Sequence, residues 1–154
     1  MILVSVCWVT WACSSFHQAA YVDLPSLVGK DPNFVEAQLG KPTTVSTTAG
    51  DPEETCVYSP SRSTKTVTVF FRNKRAYYFE VVLPTPAKDA KEALRLVGID
   101  VSNSQPYVDI ATATRYRDQI SGVIWKDVSA TSSSSAPVKT MGYDLVLATA
   151  AEAN

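Results

Sequence analysis

The segment KTVTVFFRNKRAYYFEVVL, residues Lys65–Leu83, carries the strongest strand pattern in the chain. In its first arm, Lys65–Phe71, Val67, Val69 and Phe71 alternate with Thr68 and Phe70. In its second arm, Arg75–Leu83, aromatic or aliphatic residues stand at every second position. A short polar link around Asn73 separates the arms. Alternation of β-branched and aromatic residues on both sides of such a link predicts an antiparallel hairpin.

Upstream of the hairpin, the stretch KDPNFVEAQLGKP, residues Lys30–Pro42, predicts one short helix. Asp31 is a favourable N-cap, and Pro32 suits the first helical position because its missing N–H has no intrahelical partner there. Gly40 can adopt the left-handed conformation that ends a helix. A helix of about eight residues is not stable alone, so we expect it to pack on the hairpin.

Weaker patterns predict the remaining elements. A second helix is expected to start at Thr85–Pro86 and to end at Gly98. The segment Thr43–Glu54 and the TRYRD run, Thr114–Asp118, are interpreted as connections. The other predicted strands are Thr55–Ser59, Pro106–Ala111, Gln119–Val128 and Tyr143–Ala150.

These elements together predict an α+β fold, an antiparallel sheet of about four to six strands with two short helices packed on one face. The length of 154 residues fits a single domain, which we place at residues 21–154. Within it, SATSSSSAP, Ser129–Pro137, is interpreted as a flexible serine-rich loop because of its low complexity.

The first twenty residues differ in composition from the rest and are interpreted as an export signal or lipoprotein leader. Ile2–Ala12 is apolar apart from Ser5 and Thr10, and this run is shorter than the roughly twenty apolar residues that span a bilayer. The first basic residue is Lys30, so the positively charged start of a typical signal is missing. The alternative is a buried N-terminal strand. Export would place the protein in the periplasm, at the outer membrane or outside the cell.

Three cysteines leave two alternatives open. Cys13 follows the apolar run and a small residue, as the lipidated cysteine of a bacterial lipoprotein does, so it is a candidate lipidation site and membrane anchor. Cys7 would leave with the leader, and Cys56 would then be a buried thiol. If only Cys7 is removed, a Cys13–Cys56 disulfide is the alternative.

No pattern of catalytic residues occurs in the sequence. The single histidine, His17, lies in the predicted leader, which excludes Ser–His–Asp and Cys–His catalysis and most zinc sites in the mature chain. No glycine motif for phosphate binding occurs. We therefore expect no enzyme activity, no cofactor and no metal. The carboxylates are interpreted as solvated surface charge, and the candidate pairs are Asp51 with Glu53 and Glu54, and Asp89 with Glu92.

One local cluster is a candidate binding surface. Between residues 62 and 75 the chain has five basic residues and no acidic one, with aromatic residues beside them. Such a hairpin suits nucleic acid or anionic lipid, but Lys and Arg also protect exposed strands from edge pairing. Export and a net charge of −1 argue against nucleic acid, so we expect a protein partner. The candidate residues are Arg62, Lys65, Arg72, Lys74, Arg75 and Tyr78.

The stretches LVGKDPNFVEAQLGKP, CVYS and KTVTVFFRNKRAYYFEVV together resemble the SmpA/OmlA (BamE-like) domains of bacterial envelope lipoproteins, over Leu24–Leu83. The resemblance implies a small domain with helices on one face of an antiparallel sheet, a scaffolding or binding role in the envelope and no catalytic residues. That family has two helices before its sheet, whereas Leu24–Val28 predicts at most a single turn. The matching residues are Gly29, Val35, Leu39, Gly40, Pro42 and Tyr58.

The function expected from the sequence is therefore a non-catalytic binding or scaffolding module of a bacterial exported protein, associated with the cell envelope. Two alternatives remain open. One is a small secreted hydrolase that relies on carboxylates, and the other is a proteinaceous enzyme inhibitor.

Overall fold

A computed structural model describes residues 20–47, 53–60, 66–132 and 142–151 of the chain. Eight strands form one antiparallel sheet and are accompanied by three short helices. The strands are β1 Thr44–Thr47, β2 Glu53–Tyr58, β3 Thr66–Arg72, β4 Arg75–Ala87, β5 Val108–Ile110, β6 Ala113–Ile120, β7 Val123–Thr131 and β8 Tyr143–Ala150. The helices are α1 Leu24–Leu27, α2 Pro32–Leu39 and α3 Ala90–Arg95.

The order of the strands in space divides the sheet into two halves. They lie in the order β1-β2-β3-β4-β8-β7-β6-β5, so each half is a run of sequential neighbours. The halves meet at the antiparallel pair β4–β8, in which Val81 lies opposite Val146. The short strands β1 and β5 are therefore the outer edges of one continuous sheet.

The predicted hairpin is confirmed as β3 and β4, joined by a two-residue turn. Asn73 and Lys74 in this turn have φ angles of 51° and 60°, and Arg72 pairs with Arg75 across it. Two successive positive φ values are typical of a type I′ turn, whose twist matches that of the flanking strands. A bulge shifts the register after Phe70, so that Tyr77 is the extra residue in β4.

The second half of the sheet corrects the sequence interpretation. The TRYRD run is not a connection but the middle of β6, and Gln119–Val128 is not one strand but the end of β6, a turn and the start of β7. The turn consists of Ser121 and Gly122, both with positive φ. In β6, the buried Thr114 and Tyr116 alternate with more exposed arginines, and these polar residues concealed the strand pattern.

The helix predictions are partly right. The α2 helix is confirmed over eight residues, with the Asp31 carboxylate accepting a hydrogen bond from the Phe34 N–H at 3.0 Å. The predicted start at Thr85–Pro86 is wrong, because β4 continues to Ala87 and α3 begins after Asp89. The Asp89 carboxylate accepts from the Glu92 N–H at 2.7 Å, so it is the N-cap of α3.

The hydrophobic core lies between the helices and one face of the sheet. Its members include Val35 of α2, Leu94 of α3 and Phe79 at the centre of the sheet, all of them fully buried. The N-terminal segment is tied to the end of α3, since the Leu24 N–H donates to the Val97 carbonyl at 3.1 Å. Gly98 permits this close approach, because a Cβ there would lie 2.9 Å from Asp23 Oδ1.

We call the other side of the sheet the open face, because no helix within the described ranges packs over it. Its residues alternate with the core residues along each strand and are mostly half-buried. Two rows of residues, paired in register across neighbouring strands, define it: Thr55, Phe70, Tyr78, Thr149 and Asp127 in one, and Val57, Thr68, Glu80, Leu147, Ser129 and Arg115 in the other.

The predicted fold class, α+β with two short helices on one face, is therefore wrong. The described residues are 51% strand and 16% helix, and the three helices are too short to form a helical layer. The error has a physical reason. The first edge strand, β1, is exposed at all four positions, and β6 is rich in charge, so neither strand shows an apolar alternation in the sequence.

Three further predictions fall at the limits of the described ranges. The predicted serine-rich loop starts later than expected, because Ser129–Thr131 complete β7, and residues 133–137 lie outside the described residues. Residues 1–19 of the predicted leader, including Cys13, also lie outside them. None of the helices described is long and apolar enough to cross a membrane.

Candidate functional site

The predicted basic surface on the hairpin does not form one patch. Arg72 and Tyr78 lie on the open face, whereas Lys74 is an exposed residue of the turn. Arg75 donates a hydrogen bond from Nη1 to the Gly29 carbonyl at 3.0 Å, which ties it to the link between α1 and α2. The other two predicted residues, Arg62 and Lys65, lie outside the described residues.

Arg72 belongs to a triad with a carboxylate and a tyrosine on neighbouring strands, which we call the first triad. Its guanidinium forms an ion pair with Glu53, with Nε 2.9 Å from Oε1, and lies 4.4 Å from the centroid of the Tyr77 ring. The Tyr77 hydroxyl donates to the same Glu53 oxygen at 3.1 Å. Hydrogen bonds from Arg72 and Tyr77 hold the pKa of Glu53 below its ordinary value.

Next to the first triad, two aromatic rings pack against each other on the open face. The Phe70 and Tyr78 ring centroids are 4.9 Å apart, and the Tyr78 hydroxyl donates to Glu80 at 2.9 Å. Burial, followed by the Glu80 carboxylate, raises the pKa of Tyr78 to about 12. The ring is therefore a fixed, neutral hydrogen-bond donor at physiological pH.

A second triad with the same chemistry lies in the other half of the sheet. Arg115 forms an ion pair with Asp127, with Nε 3.1 Å from Oδ1, and its guanidinium lies 5.6 Å from the Tyr107 ring centroid. The Tyr107 hydroxyl donates to Asp127 Oδ1 at 2.6 Å. This hydrogen bond is the largest cause that raises the pKa of Tyr107.

The two triads are parts of one surface. Tyr78 lies opposite Thr149 in β8, and Thr149 lies opposite Asp127 in β7, so a continuous row joins the aromatic pair to the second triad. Four steps between neighbouring strands separate β3 from β6, which is about 19 Å at the usual strand spacing. Arginine, tyrosine and phenylalanine thus line a wide, half-buried strip across the open face.

Two clefts lie away from this strip or at its margin. A cleft of about 560 Å³ runs between the Gly29 link, the β3–β4 turn and the end of β8, with Arg72 and Tyr77 at one wall. A smaller cleft of about 220 Å³ lies beside α3 and is lined mainly by charged residues, including Lys88 and Asp100. Among the described residues, no group of three or more His, Cys, Asp or Glu side chains is placed so that it could hold a metal ion.

The carboxylates considered for catalysis have structural roles where the structure describes them. Glu53 is paired in the first triad. Asp89 is the N-cap of α3 and accepts from the Glu92 N–H, and Glu92 accepts from the Lys88 N–H at 3.0 Å, one residue before the cap. Asp51 lies outside the described residues.

Cys56 and Glu54 lie on the core side of β2. The Cys56 thiol is buried and donates to Glu54 Oε1 at 3.3 Å. Burial, together with the Glu54 carboxylate, raises the pKa of the Cys56 thiol to about 11. The thiol is therefore protonated at neutral pH and a poor nucleophile, as expected for a buried structural cysteine.

Comparison with known proteins identifies no relative of this chain. No protein-family model, curated protein or solved structure matches the chain. The resemblance to the SmpA/OmlA domains therefore stays a prediction, and the site rests on its own geometry.

The second triad was missed by the sequence interpretation. The sequence assigns Arg115 to a connection, Tyr107 to the predicted strand Pro106–Ala111 and Asp127 to the predicted strand Gln119–Val128, without indicating a shared site. One signal in the sequence points to the arginines. In Thr114–Arg117, the two arginines alternate with Thr114 and Tyr116, which fits a strand with charged residues on its outer face. The pairing of Arg115 with Asp127 depends on register across β6 and β7 and is not visible in the sequence.

Proposed function

We propose that the protein is a non-catalytic binding or scaffolding module of a bacterial exported protein, associated with the cell envelope, and that the open face is its contact surface for a protein partner. One observation carries the proposal. A sheet of eight strands leaves an entire face without a helical cover among the described residues, and that face bears two ordered Tyr–Arg–carboxylate triads.

The side chains of this face are those that protein interfaces favour. Tyrosine and arginine are enriched in protein interfaces and among the residues that contribute most to binding. Here hydrogen bonds and ring contacts already fix them: Tyr77 and Tyr107 each donate to a carboxylate, and Arg72 and Arg115 each lie over a ring. Side chains that are ordered before binding lose less conformational entropy when a partner docks.

The charge balance of the face favours protein over a polyanion. The ion pairs place Glu53 beside Arg72 and Asp127 beside Arg115, and Glu80 lies between the two triads. Nucleic acid and anionic membranes require an excess of positive charge, because their affinity comes from neutralising many phosphates. A face with alternating signs suits the mixed charges of a protein surface instead.

The envelope location rests on the sequence of residues 1–20, which has the apolar core of an export leader, and on the resemblance to the SmpA/OmlA domains. In this proposal, lipidation of Cys13 anchors the domain to a membrane, and the open face binds its partner there.

The alternative of a carboxylate-dependent hydrolase has less support. A general acid needs a raised pKa, whereas Arg72 and Tyr77 lower that of Glu53. Asp89 caps α3 by accepting from the Glu92 N–H, and Glu92 accepts from the Lys88 N–H just before the cap. A proteinaceous inhibitor would be a special case of protein binding through the same face, so assay of the partner's activity would separate it from a scaffold.

A blocking substitution tests the proposal. Thr149→Arg adds bulk at the centre of the open face, and Gln38→Arg adds the same residue on the exposed side of α2. Each mature protein is immobilised and used to capture partners from its own envelope fraction, and the captured proteins are quantified. We expect Thr149→Arg to reduce capture at least fivefold and Gln38→Arg to leave it unchanged.

Equal capture by the wild type and Thr149→Arg would contradict the proposal, provided that circular dichroism shows the variant to be folded. Loss of capture only with Gln38→Arg would move the contact surface to the helices.

A further inference from the structure

A second arginine, Arg117, lies beside the second triad. The Arg117 guanidinium lies 5.1 Å from the Tyr107 ring centroid, so the ring contacts two arginines, Arg115 and Arg117. The two arginines flank Tyr116 on β6. Arg117 is exposed, whereas Arg115 is half-buried.

The carboxylate of this cluster is already occupied. Asp127 accepts from Arg115 through both oxygens and from the Tyr107 hydroxyl. Among the described residues, Arg117 forms no ion pair with a carboxylate, and its contact is the Tyr107 ring. A guanidinium has five N–H donors and cannot lose its charge, so Arg117 presents donors to solvent in a position that the ring restricts.

We infer that Arg117, held against Tyr107, is a carboxylate-binding site that receives an aspartate or glutamate side chain of the protein partner. The inference rests on the proposed function and names the chemistry that the partner presents. An arginine fork binds a carboxylate through two parallel hydrogen bonds, and such charge-assisted bonds are about twice as strong as neutral ones.

A polyanionic ligand fits the cluster less well than a single carboxylate. Arg115 is neutralised by Asp127, so within the cluster of Tyr107, Arg115, Arg117 and Asp127 one positive charge is left uncompensated. Phosphate backbones gain affinity from several cations in a row, and the Asp127 carboxylate beside the site repels them. The arrangement therefore selects an isolated acidic side chain, such as one at the tip of a loop.

Side-chain NMR of the full mature chain tests the site directly. The Nε–Hε signals of the arginines are followed while a twelve-residue Gly–Ser peptide with a single central glutamate is added, with the matched single-glutamine peptide as control. We expect a saturable shift of the Arg117 signal with the Glu peptide only, and no comparable shift of Arg72, which is already paired. An unshifted Arg117 signal, equal shifts of Arg72 and Arg117, or tighter binding of a twelve-nucleotide oligothymidine would each overturn the inference.

Partner capture separates failure of this inference from failure of the proposed function. Arg117→Gln is compared with Lys91→Gln, which removes one exposed positive charge on α3, and with the blocking variant Thr149→Arg. We expect Arg117→Gln to weaken capture roughly tenfold, as for a central arginine of an interface, and Lys91→Gln to have no effect. If Thr149→Arg abolishes capture and Arg117→Gln does not reduce it, the open face binds the partner but Arg117 is not a carboxylate-binding site. If neither reduces capture, both are wrong.

Discussion

The two halves of the sheet present the same chemistry on the open face, although they are built from unrelated sequence. In the half formed by β1–β4, the triad joins Glu53, Arg72 and Tyr77. In the half formed by β5–β8, the carboxylate and arginine exchange places along the chain, because Arg115 of β6 precedes Asp127 of β7. Adjacent antiparallel strands thus suffice to assemble a Tyr–Arg–carboxylate triad, whichever strand supplies the carboxylate.

The halves differ in what covers their other face. The link between α1 and α2 is hydrogen-bonded to β4 of the first half at Ala76. Helix α3 contacts β4, β7 and β8, and so spans the junction. Both halves contribute to a single cluster of buried residues, which the central pair β4–β8 makes continuous. The two halves therefore share one hydrophobic core and are not two independent domains.

The largest expected effect comes from opening the shared core. Trp125 in the second half is 1% exposed, and its indole N–H donates to the Ile120 carbonyl at 3.0 Å. Phe71 in the first half is fully buried. We expect Trp125→Ala and Phe71→Ala each to lower the free energy of unfolding by about 3–5 kcal/mol, measured by urea denaturation.

The control is Ile124→Ala, because Ile124 is 62% exposed and its truncation should change stability by less than about 0.5 kcal/mol. Because the sheet is continuous, hydrogen exchange should show the amides of both halves losing protection together in either core variant. Loss of protection in only the mutated half would mean that the halves are separate folding units.

A smaller effect is expected from the helix caps. Asp31 caps α2 and Asp89 caps α3 through hydrogen bonds to N–H groups three residues later. Replacing either by alanine should cost about 1 kcal/mol in urea denaturation. If Asp89→Ala leaves the free energy of unfolding unchanged, α3 is held by packing and not by its cap.

The smallest effect concerns pH and separates the members of the first triad. The pKa of Glu53 is lowered in the folded state, chiefly by Arg72 and then by Tyr77. The stabilisation from this pair is therefore present above the ordinary pKa of 4.5 and is lost as the pH falls through the lower, folded-state pKa. Arg72→Gln should remove this acid-dependent loss, and Tyr77→Phe should reduce it by less.

Carboxyl NMR titration of Glu53 measures the same effect directly. Its pKa should rise in Arg72→Gln and rise less in Tyr77→Phe. If the Glu53 pKa is unchanged in Arg72→Gln, the ion pair with Arg72 is not what lowers it.

The sequence predicts the strands with apolar alternation far better than the exposed or charged strands. The β3–β4 hairpin, α2 and β8 follow from apolar alternation, an aspartate cap and flanking glycine and proline, which are local signals. In contrast, β1 is exposed at every position, and β6 carries Arg115 and Arg117 among its outward residues. Strands of this kind are stabilised by pairing with neighbours, which a local pattern does not contain.

The candidate surface was predicted in the same uneven way. Arg72 and Tyr78 were identified because they stand in the conspicuous hairpin, but Lys74 and Arg75 lie away from the open face. The second triad brings together residues up to 20 positions apart, as for Tyr107 and Asp127. Such a contact depends on strand order and register across three strands, and these follow from tertiary packing and not from residue type.

Site-specific photocrosslinking tests the central claim, that the open face binds a protein partner, most directly. A benzoylphenylalanine replaces Tyr78 on the open face or, as matched control, Phe34 on α2, which is 38% exposed. Each mature protein is irradiated in its own envelope. We expect a discrete crosslinked product of higher mass from position 78 and none from position 34. A product from position 34 alone, or equal products from both positions, would contradict it.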